Sequence, residues 1–170
     1  LGVPVLDGGT RDCVVRHSRA VGLPGTLPDI EGLAIRLEGQ DGGDLLLAGT
    51  GSGILTRYAL VPRRRDGVCS TLLPMRTPTG AVLLRASPAP ADNATWHLSW
   101  ARPAGTWHTF GRLTLHADAV PPTPFDPING LPTGLSQYDV VARLRNPAYI
   151  RAAMQRSSPA GSPHHAAELD

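Results

Sequence analysis

The chain of 170 residues has no Lys: its 16 basic residues are all Arg, set against 14 acidic residues, for a net charge of +2. So small an excess excludes binding driven by neutralisation of a polyanion, and aromatics, at 5%, are too sparse for a base-stacking platform. The missing Lys reads as codon bias of a GC-rich, bacterial-type genome. The one basic run, Arg63 to Arg65, stands between Pro62 and Asp66-Gly67 and reads as a solvated turn. No nucleic-acid partner is expected. Cysteine is equally scarce: Cys13 and Cys69 are too far apart for a metal knuckle and too few for a disulfide framework. Both sit in apolar company, so buried free thiols are expected. The chain has no apolar run of the ~18 residues a membrane helix needs, and no leader pattern. No membrane partner is read from it, and the cytoplasm is the default location.

What is present points to turns. With 41% apolar and 18% charged residues the composition is that of an ordinary globular protein, but 19 Gly and 17 Pro favour many turns and few long helices. The length suits one domain that buries roughly two thirds of its unfolded surface. Short runs with β-branched or alternating character predict strands near 12–18, 30–38, 43–48, 54–60, 68–73, 80–86, 95–102 and 107–117. Turn chemistry separates several of them, at Asp7-Gly8-Gly9, Asp41-Gly42-Gly43 and Asp66-Gly67. The clearest hairpin joins the arms Thr95–Trp100 and Trp107–Leu115 through Arg102-Pro103-Ala104-Gly105. Alternation puts Trp96, Leu98 and Trp100 on one face of the first arm, and Trp107, Leu113 and Leu115 on one face of the second.

The fold class expected is mainly β: an antiparallel β-barrel over residues 1–120, a Pro-rich connection over 121–135 and C-terminal helices over 136–156. Residues 157–170 read as a disordered tail. The first helix starts at Ser136 as N-cap and runs to Arg145; the second starts at Asn146-Pro147.

Three stretches carry a family resemblance. The first is Arg16-His17-Ser18 with Gly22, then Asp29-Ile30-Glu31-Gly32-Leu33-Ala34, then Asp44-Leu45. The second is Phe125-Asp126-Pro127-Ile128-Asn129-Gly130-Leu131-Pro132, and the third is Ala142-Arg143-Leu144. In this order they resemble the catalase superfamily, which implies a catalase-like barrel. In that family the Arg matching Arg16 pairs with a haem propionate, a role suited to a planar charged fork, and the Ser matching Ser18 bonds the distal His. Two residues apart on a strand, Arg16 and Ser18 share a face, taken as the inward one.

The same resemblance argues against catalase activity. The family's distal His precedes the Arg-x-Ser motif, where this chain offers only Leu1 to Cys13 and no His. The distal Asn follows Asp-Leu, where the chain has Leu47-Ala48-Gly49-Thr50. The proximal Tyr falls at Pro147, which cannot ligate iron. Tyr149 is the nearest phenol, two residues later, and Arg143 keeps its place without its task.

Other constellations are weaker. His97 and His108 on facing hairpin arms, joined by His116, are thin candidates for a metal, and surface histidines are the simpler reading. Gly49-Thr50-Gly51-Ser52-Gly53 lacks the Lys and helix of a phosphate loop.

The function expected is therefore a barrel without catalase activity. It holds a small, mostly apolar molecule in its cavity, with Arg16, Ser18, Arg36 and Thr50 as polar contacts and no cofactor. The alternative is a haem-binding peroxidase or oxygenase with an unusual axial ligand, such as Tyr149 beside Arg143, or with a distal His from an N-terminal segment outside this chain. A homodimer is a further expectation, and no reaction type is assigned.

Overall fold

Alternating apolar residues dictate strands, and in this chain the strands pair into a closed surface. The computed structural model describes residues 1–20, 22, 27–63, 67–90, 92–119, 124–126, 130–139 and 164–170. Its strands are β1 (Arg11–Arg19), β2 (Glu31–Leu37), β3 (Gly43–Gly49), β4 (Cys69–Ser70), β5 (Met75–Thr77), β6 (Gly80–Ala89), β7 (Asp92–Ala101), β8 (His108–Ala119), β9 (Ser136–Gln137) and β10 (His164–Leu169). The hydrogen-bonded order β4-β3-β2-β1-β10-β8-β7-β6 returns to β4, which makes an eight-stranded antiparallel barrel with β5 and β9 extending from β6. Among the described residues no helix is long and apolar enough to cross a membrane.

One residue parity points inward around the barrel. Val15 lies opposite Ile35, which lies opposite Leu45; across the barrel Ala86 lies opposite Leu98, and Trp96 opposite Leu113. All of them belong to one buried apolar cluster with Cys13, Leu33, Leu47, Cys69, Val82, Leu84, Ala167 and Leu169. Val3, Val5 and Leu6, around a short 3-10 helix (Pro4–Leu6), join it together with Met75 and Leu135. An eight-stranded barrel is just wide enough for side chains to fill, and here they do. Trp96, 2% exposed, is the largest of the fully buried ones.

Several expectations are corrected. Residues 54–60 do not form a strand: a short 3-10 helix, Thr56–Tyr58, stands there, and only Leu60 bridges back to Thr50. The predicted strand 68–73 stops at Ser70, because Leu72 adopts φ 62°, a left-handed conformation that breaks a ladder. Ser136 does not cap a helix but begins β9, pairing with Arg76 of β5. Gln137 continues β9 opposite Met75, while residues 140–145 of that helix, the second helix, Arg143 and Tyr149 lie outside the described residues. The tail expected to be disordered supplies β10, which pairs with β1 from Arg11↔Leu169 to Arg16↔His164 and with β8 on its other side. The barrel is thus not contained in residues 1–120.

Part of the Pro-rich connection is pinned to the outside of the barrel. The Asp44 amide donates to the Gly130 carbonyl at 2.5 Å, and a Cβ at Gly43 would come within 2.5 Å of the same oxygen and of the Pro132 nitrogen. Only glycine lets β3 pass this close beneath another backbone.

Candidate functional site

The parity that sends Val15, Ile35 and Leu45 inward sends Arg16, Ala34 and Leu46 outward. Arg16 and Ser18 therefore stand on the outer wall, not inside, which corrects the expected orientation. The interior offers no opening for them, because the apolar parity already fills it.

On this wall two of the three resemblance stretches meet. Phe125, 8% exposed, lies beneath two guanidinium groups: Arg16 and Arg36 each place their central carbon 5.1 Å from its ring centroid. Arg36 donates from Nε to Asp44 Oδ1 at 2.7 Å and from Nη2 to Oδ2 at 2.6 Å, a two-pronged fit, and Nη2 also reaches the Pro124 carbonyl. The Asp126 amide donates to Asp44 Oδ2 at 2.5 Å. The hydrogen bond to Asp44 holds the Arg36 guanidinium above its ordinary pKa, against the opposing effect of burial. Beside this cluster runs an open groove of about 500 Å3, lined among others by Arg36, Leu37, Asp44, Asp126 and Leu131.

The other predicted residues are elsewhere. Ser18 Oγ donates to the Gly32 carbonyl at 3.3 Å. Thr50 is fully buried and donates to Ser70 Oγ at 3.0 Å. His97 and His108 do not face each other: His97 lies opposite Arg112, while His108 lies opposite Trp100 and stacks on it with centroids 4.7 Å apart. Among the described residues no three His, Cys, Asp or Glu side chains gather to hold a metal. Cys13 and Cys69 are buried, as their surroundings imply, and form no disulfide with each other.

The haem that the resemblance implies can be tested against the wall. On the side of β1 away from β2, β10 is brought from the far end of the sequence and pairs as far as Arg16, with His164 at the register position opposite it. Outward positions of β1 to β3 nearby are Gly32, Ala34, Leu46 and Ala48, and His17 has inward parity and meets Trp96 edge-on at 6.1 Å. No described phenol or thiolate stands on this wall to serve as axial ligand. The described residues do not fit a haem-peroxidase centre.

A second cluster was not legible beforehand. A transverse row of outward positions runs Ser18, Gly32, Ala48, Ser70, Arg85, Ser99 and Thr109 from β1 to β8, and Arg85 is its single long side chain. Over it folds the segment after β3, held by Ser70 Oγ donating to the Arg57 carbonyl at 3.3 Å and by the Tyr58 hydroxyl donating to the Pro103 carbonyl at 2.5 Å. This segment buries Arg57, 2% exposed, and leaves Ile54 and Leu55 at 59% and 84%. Trp107 completes the cluster, with the Arg57 and Arg85 guanidinium carbons over its ring at 4.8 and 4.4 Å. A β-bulge explains its position: the register shifts between Leu98 and Ser99, so Trp107 takes the side opposite to Leu113 and Leu115. The only sequence signal was that run of small and hydroxyl residues, scattered over six strands.

Comparison with protein-family models, with curated proteins and with solved structures finds no match to this chain.

Proposed function

We propose that the chain is a haem-free, catalase-like barrel that binds a small, mostly apolar molecule against its outer wall, beside Arg16, Phe125 and Arg36. One observation carries this reading. Residues more than a hundred positions apart converge on an aromatic ring clasped by two guanidinium groups, at the margin of a groove, while the interior is filled by its own side chains. Leu131 is the apolar side chain of the groove, and Arg36, Glu38 and Asp126 give a polar rim that fixes orientation. Arg36 is held rigid by Asp44, which lowers the ordering cost of binding. Two buried cysteines that form no disulfide with each other support a reducing compartment, the cytoplasm.

The second reading, haem binding, is favoured by one feature: His164 stands in register opposite Arg16. A haemin titration of the full chain, followed by absorbance, separates the two. The haem-free reading expects no saturable Soret shift, together with thermal stabilisation by members of a library of small apolar compounds that Phe125→Ala abolishes. A one-to-one Soret shift in the wild type that is lost in both Arg16→Ala and His164→Ala sinks it.

A further inference from the structure

We infer that Arg57, Arg85 and Trp107 form a binding site for the phosphate group of a small molecule, on the barrel wall over β4, β6 and β7 and apart from the Phe125 cluster. Arg57 is 2% exposed, yet among the described residues neither it nor Arg85 has a carboxylate partner. A buried cation is ordinarily paired, because taking a charge out of water is costly unless an opposite charge and hydrogen bonds replace the lost solvation. The polar bond given to the Arg57 side chain is one from Nη1 to the Gly105 carbonyl at 3.0 Å, an uncharged acceptor. Arg57 Nε, Arg85 Nε and Trp107 Nε1 are all buried donors without an acceptor. Stacking on the Trp107 face offsets part of the cost but accepts no N–H bond and supplies no negative charge.

The guanidinium groups also act on each other. Burial first, and then the charge of Arg57, push Arg85 below its ordinary pKa: the two cations repel each other. Two unpaired cations with buried donors call for a dianion with several acceptor oxygens. A phosphate monoester satisfies both requirements: its charge matches two guanidinium groups, and its oxygens match their planar forks. The row around Arg85 holds short side chains, Ser70, Ser99 and Thr109, of which Ser99 is buried and shares a hydrogen bond of 3.3 Å with the exposed Thr109.

The test uses the full chain and inorganic phosphate. In a proton–nitrogen spectrum three Trp residues give three indole signals, and the one that disappears in Trp107→Phe is expected to shift saturably with phosphate. Arg85→Gln is the primary variant, because Arg85 is partly exposed while Arg57 is buried. Losing one charged donor group weakens binding about tenfold or more. Arg112→Gln, an exposed arginine of β8, leaves the titration unchanged. The inference is overturned if the Trp107 signal stays still, if sodium chloride at matched ionic strength moves it equally, or if Arg85→Gln titrates like the wild type. Equal response to acetate overturns the phosphate assignment in favour of a carboxylate.

Discussion

Replacing Leu169 by Ala tests whether the end of the sequence is part of the core. Leu169 is 4% exposed, lies opposite Arg11 on one side and Leu113 on the other, and belongs to the interior cluster. Leu→Ala changes at such sites cost about 2–5 kcal/mol, from lost transfer energy plus the cavity left behind. The rigid barrel wall prevents collapse around that cavity, which places the expected loss near ~3 kcal/mol. For a domain of this size each kcal/mol lowers Tm by about 2–4 °C, so a fall of roughly 6–12 °C is expected. Urea unfolding checks it: the midpoint falls while the slope stays the same, since the surface exposed on unfolding barely changes. The control is Glu168→Ala on the same strand. Glu168 faces outward at 46% side-chain exposure, 4.0 Å from His116, and its loss changes stability by at most about 0.5 kcal/mol. If Leu169→Ala unfolds at the wild-type midpoint, residues 164–169 are not a barrel strand and the reasoning fails.

Other expectations follow from single sites. Asp44→Ala removes the acceptor of two Arg36 bonds and of the Asp126 amide and costs about 2–4 kcal/mol; Arg36→Ala in the Asp44→Ala background then costs less than alone, as a double-mutant cycle in urea would show. Gly43→Ala drives a methyl into the backbone of residues 130–132 and lowers stability by about 2 kcal/mol or more, read from its thermal midpoint. The Cys13 thiol is pushed up to about 12, by burial first and then by Asp12, Glu38 and Glu168. The unfolded thiol ionises near ~8.5, so this contribution is complete below that pH and is lost as pH rises toward the folded value. The slope reaches at most ~1.4 kcal/mol per pH unit, and Cys13→Ala flattens it in urea titrations at about pH 8 and about pH 10. In the native state Cys13 reacts with thiol reagents far more slowly than in urea.

Alternation made most of the barrel legible. The runs at 12–18, 30–38 and 43–48 correspond to β1, β2 and β3, and those at 80–86, 95–102 and 107–117 to β6, β7 and β8. Period-two patterning has one physical cause, a filled inside and a solvated outside, so it locates such strands well. It failed at 54–60 because Ile54, Leu55 and Leu60 are apolar but exposed, while the buried residue is Arg57. It failed at 164–169 because two histidines, two alanines and a glutamate look like solvent-facing sequence, and only Leu169 advertises a core. The outward orientation of Arg16 is legible in the sequence, because Cys13 and Val15 carry the interior parity of β1; the family role of the matching Arg points the other way. The Arg57–Trp107–Arg85 cluster depends on a bulge and on a loop anchored at Ser70 of β4 and at Pro103 and Gly105 after β7, neither of which leaves a local pattern.

The seat of β10 between β1 and β8 constrains how the protein can be made. During synthesis β1 emerges early, and its second neighbour arrives only when residues 164–169 do, about 150 positions later. Until then β1 and β8 can pair with strands of other nascent chains. Charges guard the interval: Arg11, Asp12, Arg16 and Arg19 along β1, and Arg112 with His108 along β8, disfavour stacking with like copies. Closure of the barrel thus waits on a pairing about 150 positions apart in sequence, a non-local contact of the kind that slows folding and leaves an edge to be guarded meanwhile.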